Sequence, residues 1–327
     1  MAIGRRQAIQ HAILAGVSAP FIIPGAARAQ AFPSRQIVWV VPSAPGGVLD
    51  VASRLVAQKM TERLGQTVVV DNRPAAGGTV GADMVLHQPQ DGHYMFFGNF
   101  ATFAIVPLLI PNISYDAVRD FQPVNGIGAS HNLIMCSPGK PWRTLRDLVA
   151  HAKANPEKVT FGAGVGSGQH AAAALFAHVA GIKLTHVPYQ NFAQQLNDVS
   201  AGRVDLSFDY PLSSLPYVRD GKLRALAMNG AARLEIAKDI PTAAEEGTPG
   251  AELYGWSGIY VPSAVPAPVV EHLRAATEWA MRTPEVVRLF DSTGTVPWPD
   301  YGPARMRRIL AEEIPRMREL IGRTGPG

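Results

Sequence analysis

A single cysteine, Cys136, stands in 327 residues. No internal disulfide can form, and the thiol follows the apolar run 133–135, where a small buried side chain is expected. The nine histidines are scattered and never fall in an H-E-x-x-H or other close ligand pair, so there is no sequence basis for a zinc site. No G-K-[ST] occurs, which excludes a P-loop. No G-x-S-x-G elbow occurs either, because Val165 and Gln169 stand two positions either side of Ser167, where the elbow needs glycines. Charged residues make up only 17% of the chain, and no Lys/Arg cluster is interleaved with aromatics, which argues against nucleic acid as a partner. Beyond residue 29, no continuously apolar stretch approaches the roughly 18 residues that a membrane span needs. Internal repeats and low-complexity tracts are absent. The acidic pair Glu245-Glu246 lies in a Pro-bounded helical turn at residues 241–247. Adjacent helical positions point apart, so the pair reads as a solvated cap.

What is present begins with a targeting segment. Arg5 and Arg6 precede an apolar stretch at residues 12–23, and Ala27-Arg28-Ala29 forms a small-x-small cleavage site before Gln30. Residues 1–29 are therefore read as a signal peptide and the mature protein as periplasmic. The paired arginines fit twin-arginine export, while Gly4 and Ala8 leave the Sec route open. Residues 1–29 carry three arginines and no acid, so the net charge of +4 falls to +1 without them. The high pI is then weak support for an anionic macromolecular partner.

The next stretch organises the rest. A strand at residues 37–41 enters a Pro/Gly loop at 42–47, followed by an amphipathic helix with Val48, Val51, Leu55, Val56, Met60 and Leu64 on one face and Gly65 as its stop. Gly46 and Gly47 bring backbone amides to a helix N-terminus, where anions bind, and Asp50 falls in the first turn. Strand-like and helical patterns then alternate: strands at 66–70, 93–98, 159–163, 185–189 and 204–208, helices at 80–87, 145–154, 170–180 and 193–201. This indicates α/β layers with mostly parallel sheets. Extended runs at 121–137, 222–229 and 252–261 are candidate crossings between two lobes. The expected division is 30–126 plus 229–327 as a discontinuous domain I, and 127–228 as domain II.

A second glycine-rich loop, FGAGVGSGQH at residues 161–170, follows a strand and opens an Ala-rich helix. Gly166, Gly168 and Ala171 fit a G-x-G-x-x-A frame, but the next strand ends in Tyr189, Gln190 and Asn191 without the acid a dinucleotide needs. A second anion-binding helix N-terminus remains, with Ser167 and His170 beside it. Asn99, Asn191 and Asp209 close other strands, and ligands of open α/β sheets bind outside strand carboxyl ends.

Taken together, these stretches resemble the substrate-binding proteins of tripartite tricarboxylate transporters, often called the Bug family. The resemblance rests on PSAPGGVLDVASRL (42–55), VVVDNRPAAGGTVGAD (68–83), PQDGHYMFFGN (89–99) and YDAVRDFQPV (115–124). It continues in GAGVGSGQHAAAALF (162–176), THVPYQNFAQQLNDVSAGRVD (185–205), GKLRALAM (221–228), IPTAAEEG (240–247) and YGWSGIYVPSAVP (254–266). It implies an α/β, type II periplasmic-binding-protein fold, with two lobes and a ligand cleft. It also implies a monomeric, non-enzymatic receptor without a cofactor, which captures a small carboxylate and delivers it to the permease subunits of a membrane transporter. The chain departs from the family pattern at Val48-Leu49 and at Asn191-Phe192, where a bulky ring would reshape the cleft. The expected site joins Ser43, Ala44, Gly46, Gly47, Asp50 and Asn99 of one lobe to Ser167, Gly168, His170, Asn191 and Asp209 of the other. Two alternatives stay open at this level. One is an enzyme on the same fold, for which His170 or Asp209 would need a perturbed pKa. The other is a receptor feeding a signalling partner.

Overall fold

The structure is a computed structural model that describes residues 32–46, 48–110, 112–296 and 302–324. The expected signal peptide, its cleavage point and Gly47 lie outside these residues. Strand β1 (Ile37–Val41) leads to helix α1 (Val48–Leu64), which stops at Gly65 with φ +68°, a conformation glycine adopts at least cost. Then come β2 (Val68–Asn72), α2 (Thr79–Leu86), β3 (Tyr94–Asn99), α3 (Val106–Leu109) and β4 (Phe121–Ser130). The middle of the chain supplies β5 (Leu133–Cys136), α4 (Leu145–Ala154), β6 (Val159–Ala163), α5 (Gly168–Ala180), β7 (Leu184–Pro188) and α6 (Phe192–Ser200). It continues with β8 (Leu206–Asp209), α7 (Pro211–Arg219) and β9 (Arg224–Met228). The last part holds β10 (Gly255–Pro262), α8 (Ala267–Met281), α9 (Pro284–Thr293), β11 (Thr295–Val296) and α10 (Pro303–Thr324).

Two sheets result, ordered β11-β4-β10-β3-β1-β2 and β7-β6-β8-β5-β9. They are mixed, which corrects the expectation of mostly parallel sheets. β1 pairs in parallel with β2 and β3, and β6 with β7 and β8. β10 runs antiparallel to β3 and β4, and β5 to β8 and β9. For β5 and β10 the reversal has one origin. β5 follows the crossing from β4, and β10 follows the return from β9. A strand arriving from the other sheet enters at the end where its neighbours leave, so it runs against them. That arrangement turns the carboxyl ends of β3, β6 and β8 toward the space between the sheets, where ligands of open sheets bind.

The first sheet buries Trp39, Met95 and Ile259 against Met60 of α1 and Leu273 of α8. The helical face expected for α1 is rotated near its start. Val51 is 49% exposed, whereas Asp50 and Ser53 are buried together with Val56, Ala57 and Met60. Hydrogen bonds to the Asp50 carboxylate, described below, draw that side of the first turn inward, and apolar burial decides the face only from Val56 onward. The Glu245-Glu246 stretch forms a turn without a helix. The Glu245 carboxylate accepts the Thr242 N–H at 2.7 Å, so it does act as a cap.

The two crossings are tied together. The Asn132 N–H donates to Asn229 Oδ1 at 2.6 Å, and the Asn229 N–H donates to the Asn132 carbonyl at 3.0 Å. Leu253, on the return segment, donates its N–H to the Asn229 carbonyl at 3.1 Å. Asn229 is fully buried. Asn229→Ala leaves the Asn132 amide without an acceptor and should lower stability by about 1–2 kcal/mol, read as a shift in the urea midpoint. An unchanged midpoint would show that this tie contributes nothing.

Candidate functional site

A cavity of about 300 Å³ opens between the two sheets. One wall comes from the first sheet and its helices, with Phe97, Phe100, Ile127, Trp256 and Phe290. The other wall comes from the second sheet's helices, with Ser167, Gly168, Gln169, Tyr210 and Ser213. No Lys, Arg, His, Asp or Glu lines it among the described residues.

The polar wall is built around the start of α5. Ser167 caps this helix, and its hydroxyl accepts the His170 N–H at 3.2 Å. The next two amides, of Gly168 and Gln169, have no acceptor among the described residues, and both residues line the cavity. A Cβ at position 168 would lie 2.8 Å from Tyr210 Oη, so only glycine lets the phenol approach the helix end this closely. Burial, and then the neighbouring Asp209 charge, push the Tyr210 hydroxyl up to about 12, so it is a neutral donor near pH 7. Two backbone N–H groups and one O–H therefore converge at a helix N-terminus, the arrangement that holds an anion without a counter-charge.

Asp209, the last residue of β8, lies behind this wall. Its carboxylate accepts the Tyr210 N–H at 2.7 Å, the Ser213 hydroxyl at 3.0 Å and the Gln169 side-chain amide at 3.4 Å. It orients three lining residues and does not itself face the cavity. Burial pushes its carboxyl up, and the three hydrogen bonds oppose this only in part.

The sequence comparison places the chain. A family model described as the tripartite tricarboxylate transporter family receptor matches residues 52–325. The chain belongs to this receptor family. It is 35% identical over 323 residues to a UPF0065 protein in the tcbD-tcbE intergenic region of Pseudomonas sp. (strain P51), covering 98% of this chain and 94% of the relative. Among solved structures it is similar to MatC from Rhodopseudomonas palustris with bound malate, at 30% identity and a TM-score of 0.77, covering 89% of this chain and 100% of that one. It is similar as well to an R. palustris protein solved with adipate, at 31% identity and a TM-score of 0.78, covering 89% and 97%. The two-lobed periplasmic-binding-protein fold expected from the resemblance is the fold found.

Within this receptor fold, Asn99, Ser167 and Gly168 reach the cavity as the sequence suggested. Ser43, Ala44, Gly46, Asp50, His170, Asn191 and Asp209 do not line it. The reasons are local. The Gly46 N–H donates to Asp50 Oδ2 at 2.8 Å, so that loop amide already has its anion. Asp50 Oδ1 accepts the Asn72 side-chain amide at 2.9 Å and Arg54 Nε at 2.9 Å. The carboxylate thus locks loop, helix and strand together. The His170 ring stacks on His186 with centroids 4.2 Å apart and accepts the Gly166 N–H at 3.3 Å. Burial, and then His186, pull its pKa down to about 4, so it is neutral near pH 7. Asn191 caps α6 by accepting the Gln194 N–H at 3.1 Å. Tyr210 and Gln169 were missed although each directly follows or precedes a residue singled out. Trp256 and Phe290 carry no local signal, because only the return of β10 beside β3 and the packing of α9 bring them to the cleft. Phe192, one of the two departures from the family pattern, does line the cavity.

Proposed function

We propose that the protein is an exported, non-enzymatic receptor. It binds a small organic acid between its lobes and delivers it to the permease of a tripartite tricarboxylate-type transporter. The observation that carries this reading is the cavity itself, free of charged side chains, with the unpaired Gly168 and Gln169 amides and the Tyr210 hydroxyl converging on one end. Charge-assisted hydrogen bonds of this kind are worth roughly 1.5–3 kcal/mol each. Malate and adipate in the similar R. palustris structures support a carboxylate as ligand.

In this reading the ligand-binding residues are Asn99, Ser167, Gly168, Gln169, Tyr210 and Ser213. Asp50, Asp209 and His170 hold the surrounding loops. Both perturbed groups raised by the enzyme alternative, His170 and Asp209, are engaged with protein partners outside the cavity, which favours the receptor. Both crossings move from where the sequence suggests them, giving lobes of residues 30–130 with 252–327, and 131–251, because Leu234, Ala237 and Ile240 pack in the second lobe beside Leu133 and Met228. The first crossing is drawn at residues 131–132, because β4 stays in the first sheet as far as Ser130.

One experiment tests the reading as a whole. Protein isolated from a periplasmic fraction is examined by native mass spectrometry. The expected result is a monomer that begins at Gln30 and releases a small carboxylic acid on activation. A chain retaining Met1 would defeat the export assignment, and release of a neutral or cationic ligand would defeat the carboxylate assignment.

A further inference from the structure

One corner of the second lobe touches the first lobe beside the cavity. Tyr210 caps α7, and Pro211 is the buried first residue of that helix. Asp209 fixes the corner from behind, accepting the Tyr210 N–H at 2.7 Å and the Ser213 hydroxyl at 3.0 Å. The buried Ser214 hydroxyl donates to the Tyr210 carbonyl at 2.8 Å. Each residue of the corner faces a glycine of the first lobe. At Gly255 a β carbon would stand 3.4 Å from Tyr210 Oη. At Gly294 a β carbon would stand 3.2 Å from both Cβ and Cγ of Pro211, and 2.9 Å from Cδ1 of Ile236, which also belongs to the second lobe. The Ile236 methyl can turn aside, but the proline ring cannot. Gly294 is the left-handed C-cap of α9, with φ +69°, so glycine serves there both the backbone and the close approach.

The place of these contacts gives them leverage. Gly255 pairs with Ser130, and so does Thr295, the residue after Gly294. Ser130 is the last residue before the first crossing. Both glycine seats therefore lie close to the pivot about which two lobes joined by crossing segments turn. Material added beside a pivot opens the far rim by more than its own thickness. The same corner also reaches the polar end of the cavity. Tyr210 Oη is the atom that a β carbon at Gly168 would meet at 2.8 Å, beside the α5 amides. One phenol thus borders both the anion position and the seat between the lobes.

We propose that the Tyr210-Pro211 corner, seated on Gly255 and Gly294, is the stop that sets how far the two lobes close. The proposal rests on the receptor reading above and assigns positioning residues to its closure. The test needs no added ligand. Nitroxide labels go on Val51→Cys and Val165→Cys, exposed positions beside the cavity-lining Ala52 and Ser167 of opposite lobes. Their separation is read by double electron–electron resonance, and the native Cys136 thiol is buried away from the label. Gly294→Asn supplies the wedge, because asparagine tolerates a left-handed backbone better than other side chains. Gly181→Asn is the control. Gly181 is the left-handed C-cap of α5, with φ +63°, and an added β carbon there meets nothing within 4 Å among the described residues. The Gly294→Asn protein should show a longer mean separation than the Gly181→Asn protein. Gly255→Ala, where φ is not left-handed, presses on Tyr210 instead and should lengthen the separation in the same direction by less. It decides the matter if the Gly294 variant does not fold. Separations equal to the control's overturn the stop and leave the receptor reading standing, because no ligand enters the measurement.

Discussion

Gly168→Pro is expected to weaken ligand binding at least 100-fold while leaving the protein folded. Position 168 is the first residue of α5, and Ser167 before it is extended, with φ −77° and ψ 164°. Proline is well accommodated at a first helical position, and an extended residue before it avoids the usual clash. The substitution removes one of the two unpaired amides. It also introduces a Cβ that would stand 2.8 Å from Tyr210 Oη, so the phenol must withdraw from the anion position. Two charge-assisted donors are lost together, at roughly 1.5–3 kcal/mol each, and each 1.4 kcal/mol is about ten-fold in affinity. Calorimetric titration gives the affinity, and the thermal midpoint in the absence of ligand gives the control. Arg54→Gln should leave affinity within a few-fold, because Arg54 reaches Asp50 and Asn72 and does not line the cavity. Undiminished binding by the proline variant would remove the helix N-terminus from the mechanism.

Asp50→Ala should lower stability by about 2–3 kcal/mol, on the scale of hydrogen bonds to a charged group. The carboxylate is buried, and the lost partners are the Gly46 amide, the Asn72 side chain and Arg54. The Arg54 side chain is half-exposed, so screening by solvent keeps its share small. Burial by itself would raise the Asp50 pKa. The hydrogen bonds from Arg54, Gly46 and Asn72 together outweigh it and hold the group below its ordinary value of 3.8. A carboxyl depressed in the folded state stabilises above its unfolded pKa and loses that contribution as pH falls through the folded one. The difference in urea midpoint between wild type and Asp50→Ala should therefore be full at pH 7 and shrink below about pH 4. A difference that persists unchanged at pH 3 would show that packing, and not the charge, is what Asp50 supplies.

Local pattern reached far into this fold. The strand at 37–41, the helix at 145–154 and the strand at 159–163 stand where their periodicity and boundaries put them. Gly65 ends α1 because a left-handed residue is needed there. These features depend on neighbours a few positions away. Periodicity alone misplaces the face of α1, because Val51 fits an apolar stripe, while the pull on Asp50 comes partly from Asn72, 22 residues further on. The first glycine loop has the pattern of an anion cradle, and its Gly46 amide does bind an anion, the Asp50 carboxylate of the chain itself.

The sequence by itself determined which segments become strands and helices, the presence of two strand-ending glycine-rich loops, and the resemblance to a receptor family. Such properties are written in spacing, caps and turn residues. Tertiary structure alone decided which loop offers free amides, since that depends on whether another side chain has reached them first. It likewise decided that β5 and β10 run against their neighbours, because direction is set by the end at which a crossing strand enters. And it decided the character of the cleft. Phe97, Phe100, Trp256 and Phe290 are distant along the chain, and only the return of β10 and the packing of α9 bring their rings to face Gly168 and Tyr210 across one cavity.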